Sequence, residues 1–480
     1  SHLHLLRVPA KLSLSNLANV CVLIIFFASM FMYVSGAFRY SYLEDDDPWG
    51  HASAAKYVSI EKTAFSPSYY PFHYMDPYPP GYDMTFGVLH QTSPSMNWTL
   101  KFFNAFFIAL SLVFFYFFAK EFTGNRNKAL FATFVLASVP AFMSHFIWAP
   151  ALAIVVFFPT MYALEMIKHD KKWWLVSGVC FASILLSHPI HAVKLTGFIM
   201  IYLGVRILSS FIADRKSWLQ ANLGSVKAFA LGILLSLFWW GFKWKVFAKS
   251  STVGFKGGAE AATQAIQNSS NIVVKLLTLI TRVLNPDSGT ATRVYTLRDF
   301  VVAQSNNMIN NPVGFGVVVS LLAVIGFFAA VVAIATNLPK RKAVIAAAVI
   351  ICFLSAIFIA STTLEYQNGF FAKDKDLRPQ NWANPPAYFG TFILSLTLVS
   401  LIAAFVLALA GIVAGGAARQ DRRLVFLAVV IGWLLFAFLG VNNQTFNLPV
   451  GLFAFRFWMI LAIPVAFIAA EGFFSLLNAI

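Results

Sequence analysis

The chain has 480 residues, of which 59% are hydrophobic and only 11% are Asp, Glu, Lys or Arg; 35 basic against 19 acidic residues give a formal charge of +16. A soluble domain usually carries about 25% charged residues, so an ordinary soluble fold is excluded, and an aromatic content of 16% excludes disorder. The basic residues stand in short links between apolar runs, which positive-inside topology explains without nucleic acid as a partner.

Taken in chain order, apolar runs fall near 15–35, 100–119, 130–147, 150–166, 173–189, 191–211, 222–246, 311–336, 343–361, 386–415, 423–441 and 452–475. Each is about long enough to cross a bilayer as helix. Backbone polar groups must be satisfied within each segment, so the expectation is an all-α polytopic membrane protein of about twelve transmembrane helices, with 1–480 forming a single transmembrane domain. The first run is too long for a signal-peptide core and reads as a retained span. The run 386–415 is long enough to require strong tilt or an interfacial start. Cys21, Cys180 and Cys352 all lie in apolar runs, which leaves no disulfide framework and no cysteine metal motif.

Alternate loops carry Lys120, Arg126 and Lys128, then Lys168, Lys171 and Lys172, then Arg206, Arg215 and Lys216. The same phase continues with Lys340, Arg341 and Lys342 and with Arg419, Arg422 and Arg423. This phase places both termini in the cytoplasm, with the plasma membrane as the expected location. The long loops 38–98 and 248–310 then lie outside. Within the first, Gly50 to Lys62 has the composition of a short helix. The Pro-rich stretches Pro67 to Pro71 and Pro77 to Tyr82 should interrupt regular helix. Segment 257–275 reads as a helix at the membrane, and 286–310 as a polar loop.

The sharpest chemical feature is Glu44-Asp45-Asp46-Asp47-Pro48-Trp49-Gly50-His51, just beyond the first span. Adjacent carboxylates repel and call for a divalent cation or cationic ligand groups. A solvated acidic loop is the plainer reading, but such groups are costly beside a membrane unless used. Trp49 can anchor at the headgroup level. His145, His188 and His191 fall on the same side in this topology, where imidazole could complete a metal site or accept a proton. Arg456, at the outer start of the last span, has the planar fork that grips phosphate or carboxylate. Its plainer role is to pair with a protein carboxylate. Lys194, Arg293, Arg298 and Glu365 are weaker candidates, each read as structural. The sequons at Asn97, Asn268 and Asn443 lie outside and permit glycosylation of the chain itself.

Asp46-Asp47-Pro48-Trp49, followed by His51 and Tyr57, resembles the first outer loop of STT3-type oligosaccharyltransferases, including the archaeal enzymes. More broadly it resembles C-type-fold glycosyltransferases that use polyprenyl-phosphate-linked sugars. Tyr78-Pro79-Pro80-Gly81-Tyr82 is similar to the proline-rich continuation of that loop, and Arg456-Phe457 with Pro464 to the late Arg-Phe motif. The resemblance implies a C-type glycosyltransferase fold and a loop acid that is catalytic or binds metal. Here that acid is Asp47, with Asp45 or Asp46 as alternatives. It also implies a catalytic part for His51 and substrate contacts from Trp49, Tyr82 and Arg456. The metal would be Mg²⁺ or Mn²⁺, held by Asp47, Asp45, His188 and His145. This chain departs from the pattern after the third span, where Ser144-His145-Phe146-Ile147-Trp148 replaces a second acidic motif. It also lacks the C-terminal soluble domain with its Trp-Trp-Asp-Tyr-Gly signature.

The function expected is transfer of a sugar or glycan from a polyprenyl-(di)phosphate donor to a lipid, glycan or protein acceptor at the extracytoplasmic face, among membrane lipids. Twelve spans also suit a transporter, although the acids sit in a loop rather than at mid-membrane. A noncatalytic subunit of a membrane complex is the remaining alternative.

Overall fold

The computed structural model describes residues 14–43, 46–65, 78–143, 147–250, 295–302, 313–336, 385–415, 422–443, 445–446 and 454–479. Regular structure among them is helical. Helix α1 (Leu14–Ala37) is followed by two short helices, α2 (Asp46–Glu61) and α3 (Gly81–His90), and by the long α4 (Met96–Thr123). Next come α5 (Arg126–Ser138), the single turn α6 (Pro140–Met143), α7 (Ala149–Met166), α8 (Trp173–Ser187), α9 (Pro189–Ala213) and α10 (Trp218–Ser250). A five-residue helix α11 (Leu297–Val301) precedes α12 (Val317–Thr336), α13 (Pro385–Gly415) and α14 (Arg422–Val441). A 3₁₀ turn, Ala454–Phe457, leads into the last helix, α15 (Trp458–Ala479).

Nine helices among the described residues are long and apolar enough to span a membrane: α1, α4, α7, α9, α10, α12, α13, α14 and α15. The expected count of about twelve is not confirmed among them. The run at 130–147 breaks at Val139-Pro140, so α5 has 13 residues and reaches only about 20 Å at 1.5 Å per residue. Helix α8, with 15 residues, is also short of the roughly 30 Å hydrocarbon core. The run at 343–361 and the expected helix at 257–275 lie outside the described residues.

Helices α14 and α15 form the centre, with 72% of each span buried, while α1 and α12 turn most of their surface outward with 17% buried. Phe115, Phe118 and Phe122 recur at three- and four-residue intervals, so they share one face of α4 and meet Phe467 of α15. Fully buried Trp433 of α14 stacks on Phe198 of α9 at 4.9 Å. Its indole N–H donates to the Phe198 carbonyl at 2.8 Å, which satisfies the one polar group such a ring would otherwise strand. Helices α12 and α15 touch backbone to backbone: a Cβ on Gly326 would strike the Ile468 carbonyl, and one on Gly472 the Leu322 carbonyl. Small residues permit this approach where lipid offers no hydrophobic drive for helix association.

Helices α2 and α3 fill the first loop. Asp46, Asp47 and Pro48 occupy the first turn of α2, where negative charge complements the helix dipole and proline's missing N–H costs nothing. Pro80 caps α3, so the proline run ends where helix begins, and Gly81 and Tyr82 are helical. Gly87 brings α3 hard against α2, since a Cβ there would lie 2.8 Å from the Ala55 carbonyl. Part of the expected polar loop 286–310 is also packed in: Tyr295 and Phe300 lie against Trp458, at 5.2 and 4.7 Å between ring centroids.

Two sequons are closed by this packing. Asn97 donates to the Ser41 carbonyl at 2.8 Å and its Thr99 is fully buried, while Asn443 is 2% exposed. Asn268 lies outside the described residues.

Candidate functional site

The first half of the site is a strut joining three helices. Along α2, His51 follows Asp47 by four residues, so both project from one face. His51 is buried and its Nδ1 lies 2.7 Å from Asp83 Oδ1 in the first turn of α3. The Ala149 backbone N–H, at the start of α7, donates to His51 Nε2 at 3.3 Å. Accepting at Nε2 fixes the neutral tautomer with its proton on Nδ1, donated to Asp83. Asp83 is fully buried, and its Oδ2 has no hydrogen-bond partner among the described residues. Burial raises its carboxyl above the ordinary value, against the opposing pull of His51. Tyr82 is also fully buried, between His51 at 4.7 Å and Phe86 at 4.4 Å.

The second half lies at the α8–α9 link. His188 ends α8 and caps α9, its Nδ1 accepting the His191 backbone N–H at 3.1 Å. That contact places the imidazole proton on Nε2. Yet Nε2 lies 3.2 Å from Arg456 Nη1, which has only protons to offer. Two donors therefore face each other. Fully buried Lys194 stands near enough for its charge to bear on His188, with its Nζ 4.1 Å from the Phe457 ring centroid. Burial first, then Arg456 and Lys194, hold His188 neutral well below its ordinary pKa. Arg456 also lies over the Trp148 ring at 4.8 Å.

Tyr78 joins the halves, its ring 6.1 Å from His51 and 5.6 Å from His188. One end of the bundle thus gathers His51, Tyr82, His188 and Arg456, all singled out in the sequence, with Asp47 half-buried one turn from His51. Trp49 is half exposed and faces outward. Asp46 begins α2, whereas Asp45 and His145 lie outside the described residues. No group of three His, Cys, Asp or Glu side chains that could hold a metal occurs among the described residues. Both His188 nitrogens meet N–H groups, which leaves no lone pair for a cation. The described side chains therefore do not by themselves fit Mg²⁺ or Mn²⁺.

Asp83 was missed by sequence reasoning, and Tyr78 was named only as part of the proline-rich motif. The signal for Asp83 was an acid just after Pro80-Gly81, the composition of a helix first turn. Reading the proline-rich motif as ending at Tyr82 stopped one residue short of it.

These elements define an all-α, polytopic membrane protein with a buried polar cluster at one end. The sequence matches no protein-family model and no curated protein. In fold it resembles the archaeal oligosaccharyltransferase AglB from Archaeoglobus fulgidus, determined with an inhibitory peptide and a dolichol-phosphate: 14% identity, 97% of this chain and 52% of that one covered, TM-score 0.45. A second structure, the A. fulgidus oligosaccharyltransferase tethered by a disulfide to an acceptor peptide containing the NVT sequon, shows 17% identity. It covers 84% of this chain and 56% of that one, with a TM-score of 0.43. The chain spans about half the length of these proteins.

Proposed function

We propose that the chain is a glycosyltransferase that moves a sugar or glycan from a polyprenyl-(di)phosphate donor to a lipid, glycan or protein acceptor at the extracytoplasmic membrane face. The observation that carries this reading is the pair of facing donors, His188 Nε2–H and the Arg456 guanidinium, 3.2 Å apart beside buried Lys194. An anion seated against them turns that repulsion into charge-assisted hydrogen bonds. A phosphate on a lipid carrier meets the requirement at the membrane surface.

In this reading the C1–O bond of the donor breaks as the acceptor oxygen bonds to C1. The electron pair stays on the departing phosphate, where Arg456 and His188 N–H stabilise the growing charge. Asp47 receives the acceptor proton. His51, with both nitrogens engaged by Asp83 and Ala149, positions α2 rather than touching substrate, and buried Tyr82 supports it. Trp49 meets the donor at the headgroup level. A cation at Asp47 and Asp45 would supply Lewis-acid help in orienting phosphate, and no step above is routed through one.

Binding of a synthetic polyprenyl phosphate to the purified protein tests the anion seat. One lost charge-assisted bond is worth about 1.5–3 kcal/mol, so Arg456→Ala should weaken binding by roughly 10- to 100-fold. Arg456→Lys should recover only part, because an ammonium lacks the planar fork. Equal affinity of wild type and Arg456→Ala rejects the assignment.

A further inference from the structure

The opposite end of the bundle carries a separate, open cleft of about 550 Å³, bordered by the last turn of α4, the first turn of α5 and the start of α14. Lys120, Arg126 and Arg422 line it, together with Asn127 and a single acid, Glu121. The acid does not balance the cations, because its carboxylate is engaged by Lys168 at 3.4 Å and His169 at 3.1 Å. Arg422 donates to the Glu121 main-chain carbonyl, which caps α4 and leaves the guanidinium charge unmatched by that contact. Neither Lys120 nor Arg126 enters any ion pair among the described residues.

Neighbouring cations at this end are treated differently. Lys128 and Arg423 share buried Glu471, at 2.7 and 3.6 Å, and Arg206 and Lys168 share Glu165, at 2.9 and 3.2 Å. Positive-inside topology accounts for basic residues at this end but not for three of them around one hollow. The hollow itself is built. Gly124 turns the chain with φ +67°, and a Cβ there would lie 3.3 Å from the Arg422 guanidinium. Cationic groups held together around a cleft focus a positive field into it.

We propose that this cleft binds a phosphate-bearing anion, and specifically the headgroup of an anionic membrane phospholipid. The cleft lies where two apolar spans, α4 and α14, end, so it opens at the headgroup level. A soluble phosphate shares the chemistry and is separated from the lipid by experiment. The proposal does not depend on the glycosyltransferase reading.

The test uses the full chain in nanodiscs of phosphatidylcholine mixed equally with phosphatidylglycerol, with retained lipid measured by native mass spectrometry. Wild type should retain phosphatidylglycerol in preference. Lys120→Gln/Arg126→Gln should reduce that preference about thirtyfold, from roughly 1 kcal/mol for each of the two basic residues at a membrane surface. Lys171→Gln/Lys172→Gln removes the same charge from an exposed link at the same end and should leave the preference intact. Pyrophosphate added to phosphatidylcholine-only discs should give no thermal stabilisation. Stabilisation of wild type but not of the cleft variant, without phosphatidylglycerol enrichment, overturns the lipid in favour of a soluble anion. Equal enrichment in wild type and the cleft variant overturns the site.

Discussion

Replacing Asp83 by Asn and by Ala separates the shape of the α2–α3–α7 strut from its charge. In Asp83→Ala the His51 Nδ1–H, now 2.7 Å from a carboxylate, is left buried without that acceptor. An orphaned buried donor costs about 1–3 kcal/mol, so a loss in that range is expected. Asp83→Asn keeps an acceptor oxygen of the same shape. Its behaviour should depend on pH. Burial raises the folded carboxyl above its ordinary 3.8, against His51. Between 3.8 and that raised value the folded chain holds a proton that the unfolded chain has lost, so wild-type stability falls as pH rises through the window. Below 3.8 both states are protonated and this stability is fully present. Asn does not titrate. Its stability relative to wild type should therefore improve as pH rises through the window, while Ala stays below both. Unfolding midpoints in detergent, followed by tryptophan fluorescence from pH 4 upward, would show this. A wild-type-minus-Asn difference that is constant with pH, or an Ala variant as stable as wild type, would refute the reasoning.

At the proposed reaction centre, Asp47→Asn should insert and fold normally but lose sugar transfer with a native-membrane lipid extract as donor source, since an amide cannot act as base; full activity would sink this role. Running Asp46→Asn and Asp45→Asn beside it fixes the register of the acidic run. In the core, Gly472→Ala should lower stability by about 1–3 kcal/mol, because its Cβ strikes the Leu322 carbonyl, whereas Gly204→Ala in open space should be neutral or stabilising. Thermal midpoints of the two variants decide it. For topology, single cysteines near Lys171 and Arg422 should resist an impermeant thiol reagent in intact cells, and one near Asp46 should react; the reverse pattern would invert the proposed face.

The sequence was informative where one rule governed a segment. Apolar length located α1, α4, α9, α14 and α15 closely, whereas the short helix expected from Gly50 begins four residues earlier, at Asp46, because acids and proline suit a first turn. Loop phase grouped His51, His188 and Arg456 at one end, and the structure brings them together there. It was less informative where two rules competed. Apolar composition carried the run 130–147 across Val139-Pro140, where the backbone breaks. Proline content hid α3 and with it Asp83. Nothing local told Tyr295 and Phe300 that Trp458 was waiting for them, since that contact joins segments more than 150 residues apart. The tautomer conflict at His188 was equally hidden, because it needs both an N-cap and a distant guanidinium.

The crossing at Gly326 and Gly472 bears on how Arg456 is held. Side-chain packing can be renegotiated by rotamer changes, but a carbonyl pressed against a glycine Cα has no such freedom. Helix α15, which begins just after Arg456, is registered against α12 by main-chain contact as well as by side chains, and that contact shifts only if the helices separate. The arm that carries the guanidinium is therefore anchored at a close main-chain crossing. Under the proposed function, accommodation of substrates of different size would fall to the elements facing it, the α8–α9 link and the α2–α3 pair.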